Sequence, residues 1–136
     1  MIQGINHITL AVRNLDESIT FYTDVLGFRP LARWDKGAYL LAGKSWICLT
    51  LDPETRTGPL DEYTHTAFTV SEMDFQRLSE RILRSGTRQW QENRSEGDSL
   101  YFLDPDGHKL EIHTGNWHSR LAACREKPYS SMVFFK

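Results

Sequence analysis

The chain contains two copies of one short pattern, each with a histidine in the same place. Asn6-His7-Ile8-Thr9-Leu10-Ala11-Val12 is followed, with its histidine 58 residues on, by Thr64-His65-Thr66-Ala67-Phe68-Thr69-Val70. Each copy leads into a turn and an amphipathic segment. A duplicated unit stacks on its twin about a pseudo-two-fold axis, so equivalent histidines can converge there. That geometry favours a metal site, and it limits the fold more than any composition figure does.

The chain has 136 residues, enough for one domain or two half-domains around a shared core. Its hydrophobic fraction of 40% is that of a packed globular protein. With a net charge of −2 and scattered basic residues, nothing points to nucleic acid. No apolar run approaches the ~20 residues of a membrane span, and no signal peptide is apparent. A cytoplasmic protein is expected. Cys48 and Cys124 are the only cysteines, too few for a disulfide framework.

Ile5 to Val12 alternates as a strand. Asn14-Leu15-Asp16-Glu17 is a helix start, with Leu15, Ile19, Tyr22 and Leu26 on one face and Gly27 as the stop. Strands at 28–34, 38–42 and 46–51 complete a β-α-β-β-β unit. Polar residues 52–62, with Pro53, Gly58 and Pro59, form a linker. The second half repeats the order: a strand from Tyr63 to Val70, then a helix capped by Ser71 with a stripe of Phe75, Leu78, Ile82 and Leu83. Strands at 87–91, 99–103 and 109–113 follow, the last two joined by the turn Asp104-Pro105-Asp106-Gly107. The expected division is 1–51 for the first half, 52–62 for the linker, 63–113 for the second half and 114–136 for a C-terminal helix and strand, all one domain. The helix runs from about Ser119 to Arg125 and the strand from Met132 to Phe135. The class is α+β, with two curved sheets each covered on one side by a helix.

Residues two apart on a strand share a face. His7 points with Thr9, His65 with Tyr63, and Glu111 with His113. Two imidazoles and a carboxylate from different strands would form a facial set on a divalent ion, leaving positions open for a substrate. Both Glu111 and His113 are candidates for the third ligand. His108, after the turn, reads as solvated, and His118 has no evident partner.

These features resemble the vicinal oxygen chelate superfamily, and within it the A-type fosfomycin-resistance glutathione transferases. The resemblance runs nearly end to end. It rests on the two histidine strands and on Ala32-Arg33-Trp34-Asp35, Gly37-Ala38-Tyr39-Leu40, Trp46-Ile47-Cys48-Leu49, Asn93-Arg94-Ser95-Glu96-Gly97-Asp98-Ser99, the run from Tyr101 to Glu111, and Arg120-Leu121-Ala122-Ala123-Cys124-Arg125. It implies Mn(II) at His7, His65 and Glu111, so that Glu111 is preferred to His113. A homodimer is also implied, in which His7 of one subunit completes a site whose other two ligands lie on its partner. A K+ site is implied at Asn93, Ser95, Glu96, Gly97 and Ser99.

The implied substrates are fosfomycin, a small epoxide bearing a phosphonate, and glutathione. Thr9, Tyr101 and Arg120 take the catalytic positions. Tyr63, Arg94, Ser95, Tyr101, Arg120 and Trp46 contact substrate, while Trp34, Tyr39 and Cys48 wall a thiol channel. Arginine suits a phosphonate because its planar fork makes bidentate, charge-assisted bonds. Two positions depart from the family pattern: Gln91 stands where a lysine is usual and Thr66 where the A type has tyrosine. Relatives using other thiols or water on the same epoxide are the nearest alternatives. Glyoxalase-type isomerases need a fourth ligand from the first half. Aligning Gly43 with Gly107 puts Ile47 opposite Glu111, so that ligand is missing. Ring-cleaving dioxygenases are usually about twice as long, and bleomycin-type binding proteins lack the metal triad.

Overall fold

The alternation expected from the first repeat is what builds the first sheet. In the computed structural model, which describes residues 1–136, β1 (His7–Val12) turns Leu10 and Val12 inward and leaves His7 and Thr9 exposed. Asn14 caps α1 (Leu15–Thr20) by accepting from the Glu17 amide at 3.0 Å. The helix then widens into one π-helical turn over Phe21–Val25, closed by the bond from Leu26 N to Phe21 O at 3.1 Å. Gly27, at φ +77°, ends it. Three antiparallel strands follow: β2 (Arg29–Trp34), β3 (Gly37–Ala42) and β4 (Ser45–Leu51). The sheet order is β1-β4-β3-β2, with β1 parallel to β4.

The second half repeats this topology. It comprises β5 (Thr66–Thr69), α2 (Glu72–Arg84), β6 (Gln89–Gln91), β7 (Ser99–Leu103) and β8 (Lys109–His113). Their order is β5-β8-β7-β6, with β5 parallel to β8. The Ser71 side chain caps α2, accepting from the Asp74 amide at 3.1 Å. One apolar cluster of 17 buried residues joins both halves, among them Leu10, Tyr22, Leu49, Ile82, Phe102 and Ile112. Helix α3 (Trp117–Glu126), with a capping box from Asn116, closes the chain's regular structure. No helix is long and apolar enough to cross a membrane.

Four expectations are corrected. The strand expected from Tyr63 forms only at Thr66, which pairs with Leu110; Tyr63 and Thr64 fall opposite the turn that precedes β8. Residues 132–135 form no strand and pair with neither sheet. Leu83 is exposed, since α2 buries only Ile82 fully while Phe75 and Leu78 pack against the core.

His108 is buried, not solvated. Its Nε2 donates to the Ala11 carbonyl at 2.7 Å, across 97 residues. Around it, Asp104 Oδ1 accepts from the amides of Asp106 and His108 at 2.9 and 2.8 Å, and Oδ2 accepts from the Tyr22 hydroxyl at 2.6 Å. Asp106 accepts from the Arg13 amide at 3.1 Å and the Ser18 hydroxyl at 3.4 Å. Asp104, Asp106 and His108 have ligand atoms within 4.8 Å of one another, the spacing of a metal trio. Their oxygens and the histidine Nε2 already have protein partners, so the cluster acts as a clip between the second-half turn and the first half. Burial, the largest cause, raises the Asp104 carboxyl above its ordinary value. Burial and the Asp104 charge raise the Tyr22 phenol well above its own.

Candidate active site

His7, Thr9, Tyr39, Trp46 and Cys48 lie on strands of the first sheet and Tyr101 and Glu111 on strands of the second, while Arg94, Ser95, Glu96 and Gly97 come from the loop between β6 and β7 and Arg120 from α3. On the first sheet the register pairs His7 with Trp46, Thr9 with Cys48, and Cys48 with Tyr39. The rings form a ladder: His7 lies 4.5 Å from Trp46, Trp46 lies 5.2 Å from Tyr39, and Tyr39 lies 4.8 Å from Trp34. Cys48 is buried beneath this layer. The Trp46 indole N–H is buried without a partner. His7 Nδ1 donates to Asn6 Oδ1 at 2.7 Å, which leaves Nε2 with its lone pair free.

On the second sheet the register pairs Glu111 with Ala67 and Tyr101, and His113 with Ser99. His65, two residues before Ala67, directs Nε2 to Glu111 Oε1 at 3.0 Å. Its Nδ1 is bonded to the Tyr63 carbonyl at 3.0 Å, and a carbonyl only accepts. The proton therefore sits on Nδ1, and the Nε2 lone pair faces a carboxylate oxygen. Two acceptors at that distance need positive charge between them, either a second proton on the ring or a cation. The chemistry of this pair fits a divalent metal ion.

The pair opens into a cleft of about 770 Å³. Tyr63, Arg94, Ser95, Tyr101 and Arg120 line it, as expected. Trp90, Gln91, Glu92 and Tyr129 line it as well. Trp90 was not foreseen. Strict alternation would set it opposite to Gln91, but an irregularity in the β6–β7 register between Gln89 and Gln91 brings both to the cleft. The Trp90 ring packs 5.2 Å from His65 and 5.2 Å from Tyr101. Gln91 Nε2 donates to the Tyr63 hydroxyl at 3.0 Å.

The loop from Asn93 to Ser99 is held by its own polar groups. Asn93 donates to the Gly97 carbonyl at 2.8 Å and accepts from the Ser95 amide at 3.2 Å. Arg120 Nε donates to Glu96 Oε1 at 3.1 Å, and its second guanidinium nitrogen donates to Ser95 Oγ at 3.1 Å. Burial acts to lower the Arg120 pKa, but the hydrogen bond to Glu96 and the neighbouring Tyr129 phenol outweigh it and raise it.

His7, Thr9, Trp34, Tyr39, Trp46 and Cys48 do not line this cleft. The three expected ligands do not gather within a single chain, because His7 belongs to the other sheet. The register also corrects one alignment. Two residues past His7, Thr9 pairs with Cys48; two residues past His65, Ala67 pairs with Glu111. Cys48, not Ile47, is therefore the first-half counterpart of Glu111. The first half still offers no carboxylate or imidazole there.

Residues 4–112 match the family model described as Glyoxalase/Bleomycin resistance protein/Dioxygenase superfamily. The chain belongs to that superfamily, and within it to the fosfomycin-resistance proteins. It is 54% identical to the "Glutathione transferase FosA" of Serratia marcescens over 136 residues, covering 98% of this chain and 96% of the relative. It is 39% identical to the "Metallothiol transferase FosB" of Shouchella clausii, covering 90% and 87%. Among solved structures it resembles a variant of the fosfomycin resistance protein FosX of Listeria monocytogenes, complexed with Mn(II) and 1S,2S-dihydroxypropylphosphonic acid. The TM-score there is 0.78 at 30% identity, covering 90% of this chain and 98% of that one. FosX from Mesorhizobium loti gives a TM-score of 0.74 at 32% identity, covering 89% and 99%.

Proposed function

We propose that this protein is a Mn(II)-dependent, K+-stimulated glutathione transferase. It opens the epoxide of fosfomycin and so confers resistance. It works in the cytoplasm as a homodimer with shared active sites. The observation that carries this reading is the His65–Glu111 pair, set in one cleft with Arg120 and Ser95. The 54% identity to a glutathione transferase supports the choice of thiol.

His65 and Glu111 of one chain and His7 of its partner would hold the metal ion. A divalent ion there supplies Lewis-acid charge for the oxygen that ring opening leaves negative. Arg120 takes the phosphonate through its fork, with the Ser95, Tyr63 and Tyr101 hydroxyls and Arg94 around it. The thiolate of glutathione attacks an epoxide carbon. A C–S bond forms, the C–O bond breaks, and its electron pair goes to oxygen. That oxygen takes a proton from solvent and becomes a hydroxyl group. Thr9, on the face of His7, donates a hydrogen bond to the same oxygen. A free thiol with pKa ~8.5 is only a few per cent ionised at neutral pH. Positive charge from Arg94 and Arg120 favours the thiolate. Trp34, Tyr39, Cys48 and Trp46 form the wall on the partner's side.

The oxygens of Asn93, Ser95, Glu96, Gly97 and Ser99 are hard donors of the type K+ takes. Glu96 is already matched by Arg120, so the ion adds to a charge balance rather than creating it.

The test is product formation by the purified protein from fosfomycin and a panel of thiols, with a no-thiol control. Expected is a glutathione adduct that disappears on chelation and returns with Mn(II). A diol without thiol would convert the reading to hydrolysis, and turnover unaffected by chelation would remove the metal from it.

A further inference from the structure

His113 touches no residue assigned above to phosphonate or thiol, yet both of its ring nitrogens face polar partners. Its ring is only 14% exposed. Its Nδ1 lies 2.6 Å from Ser99 Oγ, and that hydroxyl lies 2.7 Å from Glu111 Oε2. A hydroxyl has one proton to give, and a carboxylate can only accept. Ser99 therefore donates to Glu111, and His113 Nδ1 donates to Ser99. The direction of the chain is fixed: imidazole to hydroxyl to carboxylate. It occupies Oε2 of Glu111 and leaves Oε1 for the His65 side of the cleft.

Two glycines make room for this ring. A Cβ on Gly97 would come within 2.9 Å of His113 Cε1. A Cβ on Gly115 would lie 2.5 Å from His113 Nε2 and 2.8 Å from Glu96 Oε1. Real Cβ atoms do not approach that closely, so the backbone at both positions is pressed against the ring's edge. His113 Nε2 faces Glu96 Oε1 at 3.6 Å, and Glu96 holds Arg120. The ring thus connects the carboxylate beside His65 to the arginine at the other end of the cleft.

We infer that His113 is a positioning residue: through Ser99 it sets which oxygen of Glu111 faces the metal. The inference rests on the proposed ligand set of His7, His65 and Glu111. Direct ligation by His113 is a poor alternative, because its Nδ1 is bonded to Ser99 Oγ and its Nε2 faces Glu96 Oε1 rather than His65.

The test measures Mn(II) affinity of the full-length protein by the electron paramagnetic resonance of free Mn(II), with thermal melting alongside. His113→Leu removes the donor and is expected to weaken Mn(II) binding about 10- to 100-fold, the usual effect of losing an outer-sphere partner. His113→Asn puts an amide N–H near the place of Nδ1 and is expected to restore most of that loss. Wild-type affinity in His113→Leu overturns the inference. So does an Asn variant as weak as the Leu variant at an unchanged melting temperature. Should the Leu variant not fold, Ser99→Ala decides: it removes the same O–H from Glu111, and unaltered Mn(II) affinity overturns the inference. Glu111→Gln separates the two levels. If it binds Mn(II) like the wild type, the ligand set itself fails and the inference with it. If it loses Mn(II) while His113→Leu does not, only the inference fails.

Discussion

Glu111 Oε1 lies 3.0 Å from His65 Nε2 within the second half of the chain, whereas His7 projects from the first sheet with its Nε2 unengaged. A shared site in a homodimer predicts complementation. His7→Ala and Glu111→Ala proteins are each expected to be inactive alone. In a mixed dimer one site carries both lesions and the other carries neither. Random exchange makes half the dimers mixed, each with one intact site, so the mixture should recover about a quarter of wild-type activity. Co-expression or refolding of the two variants, followed by the glutathione-adduct assay, measures this. No recovery would place all ligands of a site in one chain.

Gln91 brings a neutral amide to the cleft and directs it at the Tyr63 hydroxyl, 3.0 Å away. Gln91→Lys adds a cation beside Arg120, facing a phosphonate dianion. The KM for fosfomycin is expected to fall about fivefold, equivalent to ~1 kcal/mol for an added charge-assisted contact. Steady-state kinetics at fixed glutathione checks it. An unchanged KM would show that the position does not face the phosphonate.

Much of this site was legible because strand alternation is a strict rule. His7 with Thr9 and Glu111 with His113 follow from the two-residue period, and β7 and β8 have the bounds expected, whereas Tyr63 and His65 reach the cleft from the segment before β5. Trp90 was hidden by a register irregularity that no composition signal marks. His108 was hidden because its partner, the Ala11 carbonyl, is 97 residues away and belongs to the backbone. The counterpart of Glu111 was misread as Ile47 because the turns were aligned in place of the histidines. The turn before β8 has a different length from the one before β4, whereas strand registers count directly from His7 and His65. Within one chain, the two histidines of the repeat do not meet at all.

Gly107 carries φ +92°, and a Cβ there would fall 2.4 Å from the Gly58 carbonyl carbon and 2.6 Å from Pro59 N. Both contacts are backbone of the segment between the two sheets, which has no side chain to rotate away. Gly107→Ala is therefore expected to destabilise the protein by about 2–4 kcal/mol, combining backbone strain with overpacking. Urea unfolding measures it. A loss within 0.5 kcal/mol, the usual size of a neutral surface change, would show that the linker yields freely.

The burial of Asp104 sets the sign of a pH dependence. Burial raises its pKa above 3.8, opposed by His108 and by the bond from Tyr22, and assisted by the Asp106 charge. The folded state therefore holds the Asp104 proton to a higher pH than the unfolded chain does. Between those two values the folded state binds more protons, so this residue's contribution to stability falls as pH rises, then levels off. Asp104→Asn keeps the Oδ1 acceptor for the Asp106 and His108 amides and presents an N–H to the Tyr22 oxygen, without a charge to bury. Relative to the wild type, the variant is expected to gain stability as pH is raised from the acid range into the neutral range. Urea unfolding of both proteins across that range isolates the Asp104 cluster, because titrating groups that do not touch it cancel in the difference. A constant difference would mean that Asp104 titrates alike in both states, and a change of opposite sign would mean that its hydrogen bonds outweigh its burial.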